Sequence, residues 1–178
     1  MNVTRFKILW SASLAVLLTS VFFDSAAQAI TLQHVTIFQE KISLGNGEIA
    51  AAEMLSEEVG KRTGTKWPLS VTWPASGDVN VLKKASAKTK LPFSIPAAPE
   101  LAKKSESYRI VNVQHQNQKV IIIEGVDDRG VLFGTGYLLR TMQYSGNIVG
   151  LDQLPSIAST PDKYMRGHQL GYRNTANS

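Results

Sequence analysis

Four consecutive β-branched residues, Val120-Ile121-Ile122-Ile123, lie between Lys119 and Glu124 and constrain this chain more than any other segment. A strand with one wet face alternates apolar and polar residues, so an unbroken run demands cover on both faces. It predicts a central strand over 119–124. Residues 108–115 (YRIVNVQH) form a second β-rich run, and Gln116-Asn117-Gln118 between the two has the pattern of a hairpin connection. Beyond the central strand, Gly125-Val126-Asp127-Asp128 turns the chain. Asp128 is the expected N-cap of a helix starting near Arg129, with Val131, Leu132, Leu138, Leu139 and Met142 on its apolar face together with Tyr137.

Other elements follow from periodicity. Residues 30–38 alternate imperfectly and read as a first strand. Gly45-Asn46-Gly47 is a turn signal, and from Glu48 the period becomes helical, with Ile49, Ala52, Leu55 and Val59 on one stripe. Lys61 and Arg62 suit a helix C-terminus, and Gly60 and Gly64 are candidate stops. Residues 69–73 (LSVTW) predict a short strand, as do 79–82 and 148–151, with Gly146-Asn147 breaking the second helix. The order strand, helix, strand, hairpin, helix, strand predicts an α/β (α+β two-layer) fold: a mixed β-sheet with two packed helices.

The length, 178 residues with 43% apolar and 19% charged, suits one domain with a real core and excludes a disordered chain. There is no cysteine, so disulfide frameworks, thiolate metal sites and a cysteine nucleophile are excluded. The N-terminus has the layout of a secretory signal peptide over 1–29. Arg5 and Lys7 precede a nearly uncharged run over 8–23, and Ala27-Gln28-Ala29 supplies small residues at a cleavage site. The alternative, an uncleaved anchor, is disfavoured because the run is shorter than the roughly 20 apolar residues of a spanning helix. No stable membrane anchor is expected, and the location is exported, periplasmic or extracellular.

Residues 83–104 carry six lysines and three prolines with no sustained period. They predict a solvated surface loop, with a short helical turn near 99–104. Lysines neutralise phosphates, but this stretch has no arginine and only Phe93 as an aromatic, so nucleic acid is not an expected partner.

Candidate chemistry is sparse. Gly130, Gly134 and Gly136 form a glycine-dense patch, but GxxxGxG is neither GxGxxG nor GxxxxGK[ST], and close helix–sheet packing explains it better. Asp127 and Asp128 are adjacent carboxylates; a pair acting on a glycosidic bond must instead flank a substrate, so capping is the expected role, with Arg129 as counter-charge. His34, His115 and His168 are far apart without metal-ligand spacing, and no GxSxG element is present. The expectation is no catalytic residue, no metal and no cofactor in this chain. Trp67 and Trp73, flanking one strand, are the only paired candidates for an exposed sugar platform, and core positions explain them equally well.

The stretch KVIIIEGVDDRGVLFGTGYLLRTMQ, followed by Pro161 and Arg166-Gly167, resembles the N-terminal domain that precedes the catalytic barrel in several glycoside hydrolases. It is most similar to the α-glucuronidase N-terminal domain of glycoside hydrolase family 67 and to the related second domain of β-hexosaminidases. The family motif G-x-D-x-R-G-x-x-x-G falls on Gly125, Asp127, Arg129, Gly130 and Gly134, and its paired leucine on Leu138-Leu139. The family's first helix, with its A-x-x-L-x-x-x-(V/I) face and T-G turn, matches 47–64. The resemblance implies a hexosaminidase domain-2-like accessory domain over 30–154, a linker over 155–165 and the start of a truncated catalytic barrel over 166–178. It implies a polysaccharide or oligosaccharide substrate, bound through the missing barrel, and a chain inactive alone. Arg173, Tyr172 and His168 would be weak substrate-binding candidates at the barrel mouth. Gly171 stands where hexosaminidases have an Asp, and Arg173 falls one residue early. The competing class is a self-contained carbohydrate-binding or scaffolding protein.

Overall fold

The computed structural model describes residues 30–40, 46–96 and 99–163. Nine strands and two helices form among them, in the order β1 (Ile30–Leu32), β2 (Thr36–Phe38), α1 (Asn46–Thr63), β3 (Leu69–Ser70), β4 (Val79–Lys84), β5 (Tyr108–His115), β6 (Gln118–Gly125), α2 (Asp128–Thr141), β7 (Gln143–Ser145), β8 (Ile148–Leu151) and β9 (Ile157–Ser159). A six-stranded mixed sheet runs β3-β2-β4-β6-β5-β9, and a three-stranded antiparallel sheet runs β1-β8-β7. Strands β3, β2, β4 and β6 are mutually parallel, while β5 and β9 are antiparallel additions. This is the α+β two-layer arrangement expected from the element order.

β6 lies between β4 and β5, with Val120 opposite both Val79 and Val113. Its two faces feed two cores. Ile121 and Ile123 join Ile37, Leu82 and Ile110 under the helices, with Leu55, Val59, Val131 and Leu138 from above. Val120 and Ile122 join Phe38, Val79, Val81 and Val111 on the other face. That second face is roofed by Trp73, Leu91, Phe93 and Ile95. The lysine-rich segment is therefore not simply solvated: it turns an apolar edge onto the sheet. No helical turn forms at 99–104.

Several expected boundaries move. The single strand over 30–38 is two strands in different sheets, because His34 adopts φ 47° and redirects the chain. Asp78 fixes this crossing: its backbone N–H donates to Gln33 O at 2.9 Å, and its carboxylate accepts from the N–H of Gln33 and of Lys119, both at 2.8 Å. The strand expected over 69–73 shrinks to Leu69–Ser70, since the Ser70 hydroxyl bonds the Thr72 backbone and curls it. Lys83 and Lys84, assigned to the loop, complete β4. Residues 157–159, within the expected linker stretch, add β9 beside Tyr108-Arg109-Ile110.

Helix α1 also buries a different stripe. Ala51, Ala52, Leu55 and Val59 are core, but Ile49 is exposed and Glu48 is fully buried. Glu48 Oε1 accepts from Lys84 N at 3.0 Å, so the carboxylate ties the helix start to the end of β4. Gly64, at φ 76°, stops the helix, its N–H donating to Gly60 O at 2.9 Å.

Asn80, in the middle of β4 between Ile37 and Ile121, is fully buried, and neither amide atom has a hydrogen-bond partner among the described residues. An enclosed amide without partners costs about 1–3 kcal/mol. Asn80→Leu is expected to raise stability by about 1 kcal/mol, read as a higher urea midpoint at unchanged slope. A lower midpoint would show that the amide is satisfied by enclosed water.

Candidate functional site

The motif residues Gly125, Asp127, Arg129, Gly130 and Gly134 come together at the corner where β6 passes into α2. The N-cap is Asp127, one residue earlier than expected, in an extended conformation at φ −138°. Its Oδ1 accepts from Gly130 N at 2.8 Å, and its Oδ2 from the Ser105 hydroxyl at 2.5 Å and Glu106 N at 3.0 Å. One carboxylate thus closes the helix start and also holds the end of the long loop. Burial pushes the Asp127 carboxyl upward, but the Ser105 hydroxyl, the two backbone N–H groups and the Arg129 charge outweigh it and leave the acid stronger than usual. An aspartate so engaged is a structural acceptor rather than a proton shuttle.

Asp128 points its charge elsewhere. Lys84 Nζ lies 2.9 Å from Asp128 Oδ1 and 3.5 Å from Glu48 Oε2, joining the starts of both helices to the end of β4. A Cβ on Gly47 would come within 2.5 Å of Asp128 Cβ, so the glycine lets the two helix starts touch. Arg129 pairs with Glu106 at 2.8 Å, while its electrostatic reach to Asp127 remains. The two aspartates therefore serve different partners and do not act as a pair.

The glycines act through close approach. A Cβ on Gly125 would strike the Val131 backbone nitrogen, and one on Gly130 would strike Ser107 O. A Cβ on Gly134 would lie 2.6 Å from Ile123 Cγ2 and 3.1 Å from Tyr108 Cδ2. Gly136 differs: its Cβ would meet only the Arg140 side chain, at 3.4 Å, and Gly136 lines an open cleft of about 490 Å³ with Phe133 and Arg140. Packing explains Gly130 and Gly134 but not Gly136.

A buried charged group escaped the sequence reading. Glu124 bridges Lys83 (Nζ to Oε1, 2.6 Å) and Arg109 (Nε to Oε2, 2.5 Å) across β4, β6 and β5. Burial raises the Glu124 carboxyl, and the two cations together lower it further than burial raises it. The available signal was register: Lys83 falls two residues past Val81, on the same strand face. Asp78 was missed for a plainer reason, since nothing local marks an aspartate that bonds partners far away in sequence.

His168, Tyr172 and Arg173 lie outside the described residues, as do 1–29. Trp67 and Trp73 form no platform. Trp67 belongs to the core beneath the helices, whereas Trp73 sits edge-on to Phe38 and Phe93 on the other sheet face and donates to Gln118 at 3.1 Å. Among the described residues no three His, Asp or Glu side chains are grouped to hold a metal ion, and no helix is long and apolar enough to cross a membrane. Compared with known protein families and with curated proteins, the chain matches none.

Two outcomes test the corner. Asp127→Ala is expected to cost about 1 kcal/mol at neutral pH through the lost cap. Because the folded carboxyl lies below its unfolded value of about 3.9, its ionic contribution is present above that pH and fades as pH falls through the lower folded value. The gap between parent and variant in denaturant titrations should therefore narrow below about pH 4; a constant gap would remove the ionic part of the argument. The glycines should separate in sign. Gly134→Leu should lose about 1–3 kcal/mol by overpacking, with Gly134→Ala also destabilising, whereas Gly136→Ala should gain about 0.5–1 kcal/mol of helix stability. Equal melting shifts at the two positions would contradict the packing distinction.

Proposed function

We propose that this chain is the N-terminal, non-catalytic domain of an exported glycoside hydrolase, most like an α-glucuronidase acting on plant xylan. The observation that carries this reading is the use of the motif. Gly125, Gly130 and Gly134 make room for α2 against the sheet, Asp127 caps it, and Arg129 anchors the loop end through Glu106. A sequence signature devoted to joining a strand to a helix belongs to a scaffold, and the chemistry is assigned to a following barrel. In this reading His168, Tyr172 and Arg173 are contributed to the mouth of that barrel, the polysaccharide or oligosaccharide is held there, and 1–29 is the export signal.

The test is an activity comparison. The purified chain is expected to release nothing from an aryl glucuronide or from glucuronate-bearing xylo-oligosaccharides. A product of the coding sequence extended beyond Ser178 is expected to cleave the latter. Turnover by the 178-residue chain itself, free of contaminating enzyme, would overturn the proposal. An extended sequence without a barrel would favour the binding-module class instead.

A further inference from the structure

Glu106 holds a left-handed backbone conformation, φ 67°, which a residue with a Cβ keeps only where its surroundings impose it. It sits in a tight turn, closed by the Ser107 N–H donating to Lys104 O at 3.1 Å. Backbone strain of this kind gathers at clamps and switch regions, where the geometry it provides has a use.

On one side the turn grips the corner between β6 and α2. Asp127 Oδ2 accepts from Glu106 N and from the Ser105 hydroxyl, and the Glu106 carboxylate pairs with Arg129 at 2.8 Å. Ser107 O accepts from Val126 N at 2.9 Å. On the other side the turn grips the segment that follows β9. The Lys104 ammonium donates to Pro161 O, and the Ser107 hydroxyl to the Thr160 hydroxyl at 3.3 Å. β9 itself pairs with Tyr108-Arg109-Ile110, directly after the turn. Pro161 adds stiffness of its own, since its φ is fixed and the residue before it is biased to extended backbone. Clefts of about 490 and 300 Å³ adjoin this segment, and Glu106, Pro161 and Lys163 line both. Residues 157–161, inside the stretch expected as a linker, are thus bound from two directions.

We propose that the turn over 104–107 is a clasp that fixes the direction of the chain beyond β9, with Asp127 and Arg129 of the motif holding the clasp in shape. Glu106 is its pivot: the backbone N–H and the carboxylate both answer to the corner, while Lys104 and Ser107, at the two ends of the same turn, reach Pro161 and Thr160. Arg129 is then a positioning residue, acting on 160–161 through Glu106. The use of a fixed exit is orientation, since a following body is carried in a set attitude to the sheet instead of swinging on a free linker. That use rests on the accessory-domain reading. The clasp itself is measured on the 178-residue chain, whether or not a barrel follows, so the two fail separately.

The chain has no cysteine, so spin labels attach only where cysteines are introduced. With labels at Glu57→Cys and Lys163→Cys, the label-to-label distance is expected to be as sharply distributed as with labels at Glu57→Cys and Arg140→Cys, two positions on helices. Arg129→Met, at a side chain that is 70% exposed, should broaden the first distribution and leave the second unchanged. In the same variant, hydrogen exchange at the amides of 157–160 should speed up about two- to fivefold, the worth of an exposed ion pair, with the amides of β6 unaffected. Lys104→Met should act alike, and in the double variant Arg129→Met should add less than about twofold, because both work through one turn. A broad distribution for the Lys163 pair in the otherwise unaltered chain, unchanged exchange at 157–160 in Arg129→Met, or effects that multiply in the double variant would each overturn the proposal.

Discussion

β6 must be covered on both faces, and the rest of the fold follows from how that is done. Ile121 and Ile123 require the helices; Val120 and Ile122 require something on the opposite side. Burying each such side chain contributes roughly 1.5–3 kcal/mol, so leaving one face open would forfeit much of the net stability of a domain this size. The chain supplies the second cover without a third layer of secondary structure. Leu91, Phe93 and Ile95 from the long loop, with Trp73 from the β3–β4 connection, close over the sheet. A loop can do this because its polar backbone and lysines stay outside while three side chains point in.

Covering the first face closely requires α2 to approach the sheet, and the glycines set how near it comes. With Gly134 over Ile123 and Tyr108, and Gly130 over the Ser107 carbonyl, the helix sits where a Cβ would not fit. The corner then gathers the polar groups this approach would otherwise strand. Asp127 takes the orphaned N–H of Gly130, the Val126 N–H donates to Ser107 O at 2.9 Å, and Lys84 compensates the acids at both helix starts. Beneath the loop, Glu124 answers two cations across three strands. Removing one partner of such a group leaves a buried charge, which makes the triad a strong constraint on register even though an apolar replacement of the whole would be tolerated energetically.

What the sequence displays and what it hides divide along physical lines. Period and run length exposed the two helices, the β5–β6 hairpin and the two-faced strand, because each is written in contiguous residues. Turn conformation was less visible: His34 at positive φ splits 30–38 between two sheets, and no glycine or asparagine announces it. The N-cap slipped by one residue because Asp127 and Asp128 are equally suited to the role, and only their remote partners, Ser105 and Lys84, decide between them. Glu48 and Ile49 exchange places for the same reason, since the buried acid is matched by Lys84 from a distant strand. β9 was hidden by brevity, as three residues give no period, and the candidate site shared this fate: its motif was legible, but the roles of Lys83, Glu124 and Asp78 depend on sheet register.

The placement of polar groups also decides what the corner between β6 and α2 can do. At the corner, each carboxylate has named partners: Asp127 with Ser105, Glu106 and Gly130, Asp128 with Lys84, Glu106 with Arg129. Such a region holds shape, and its residues change stability when altered.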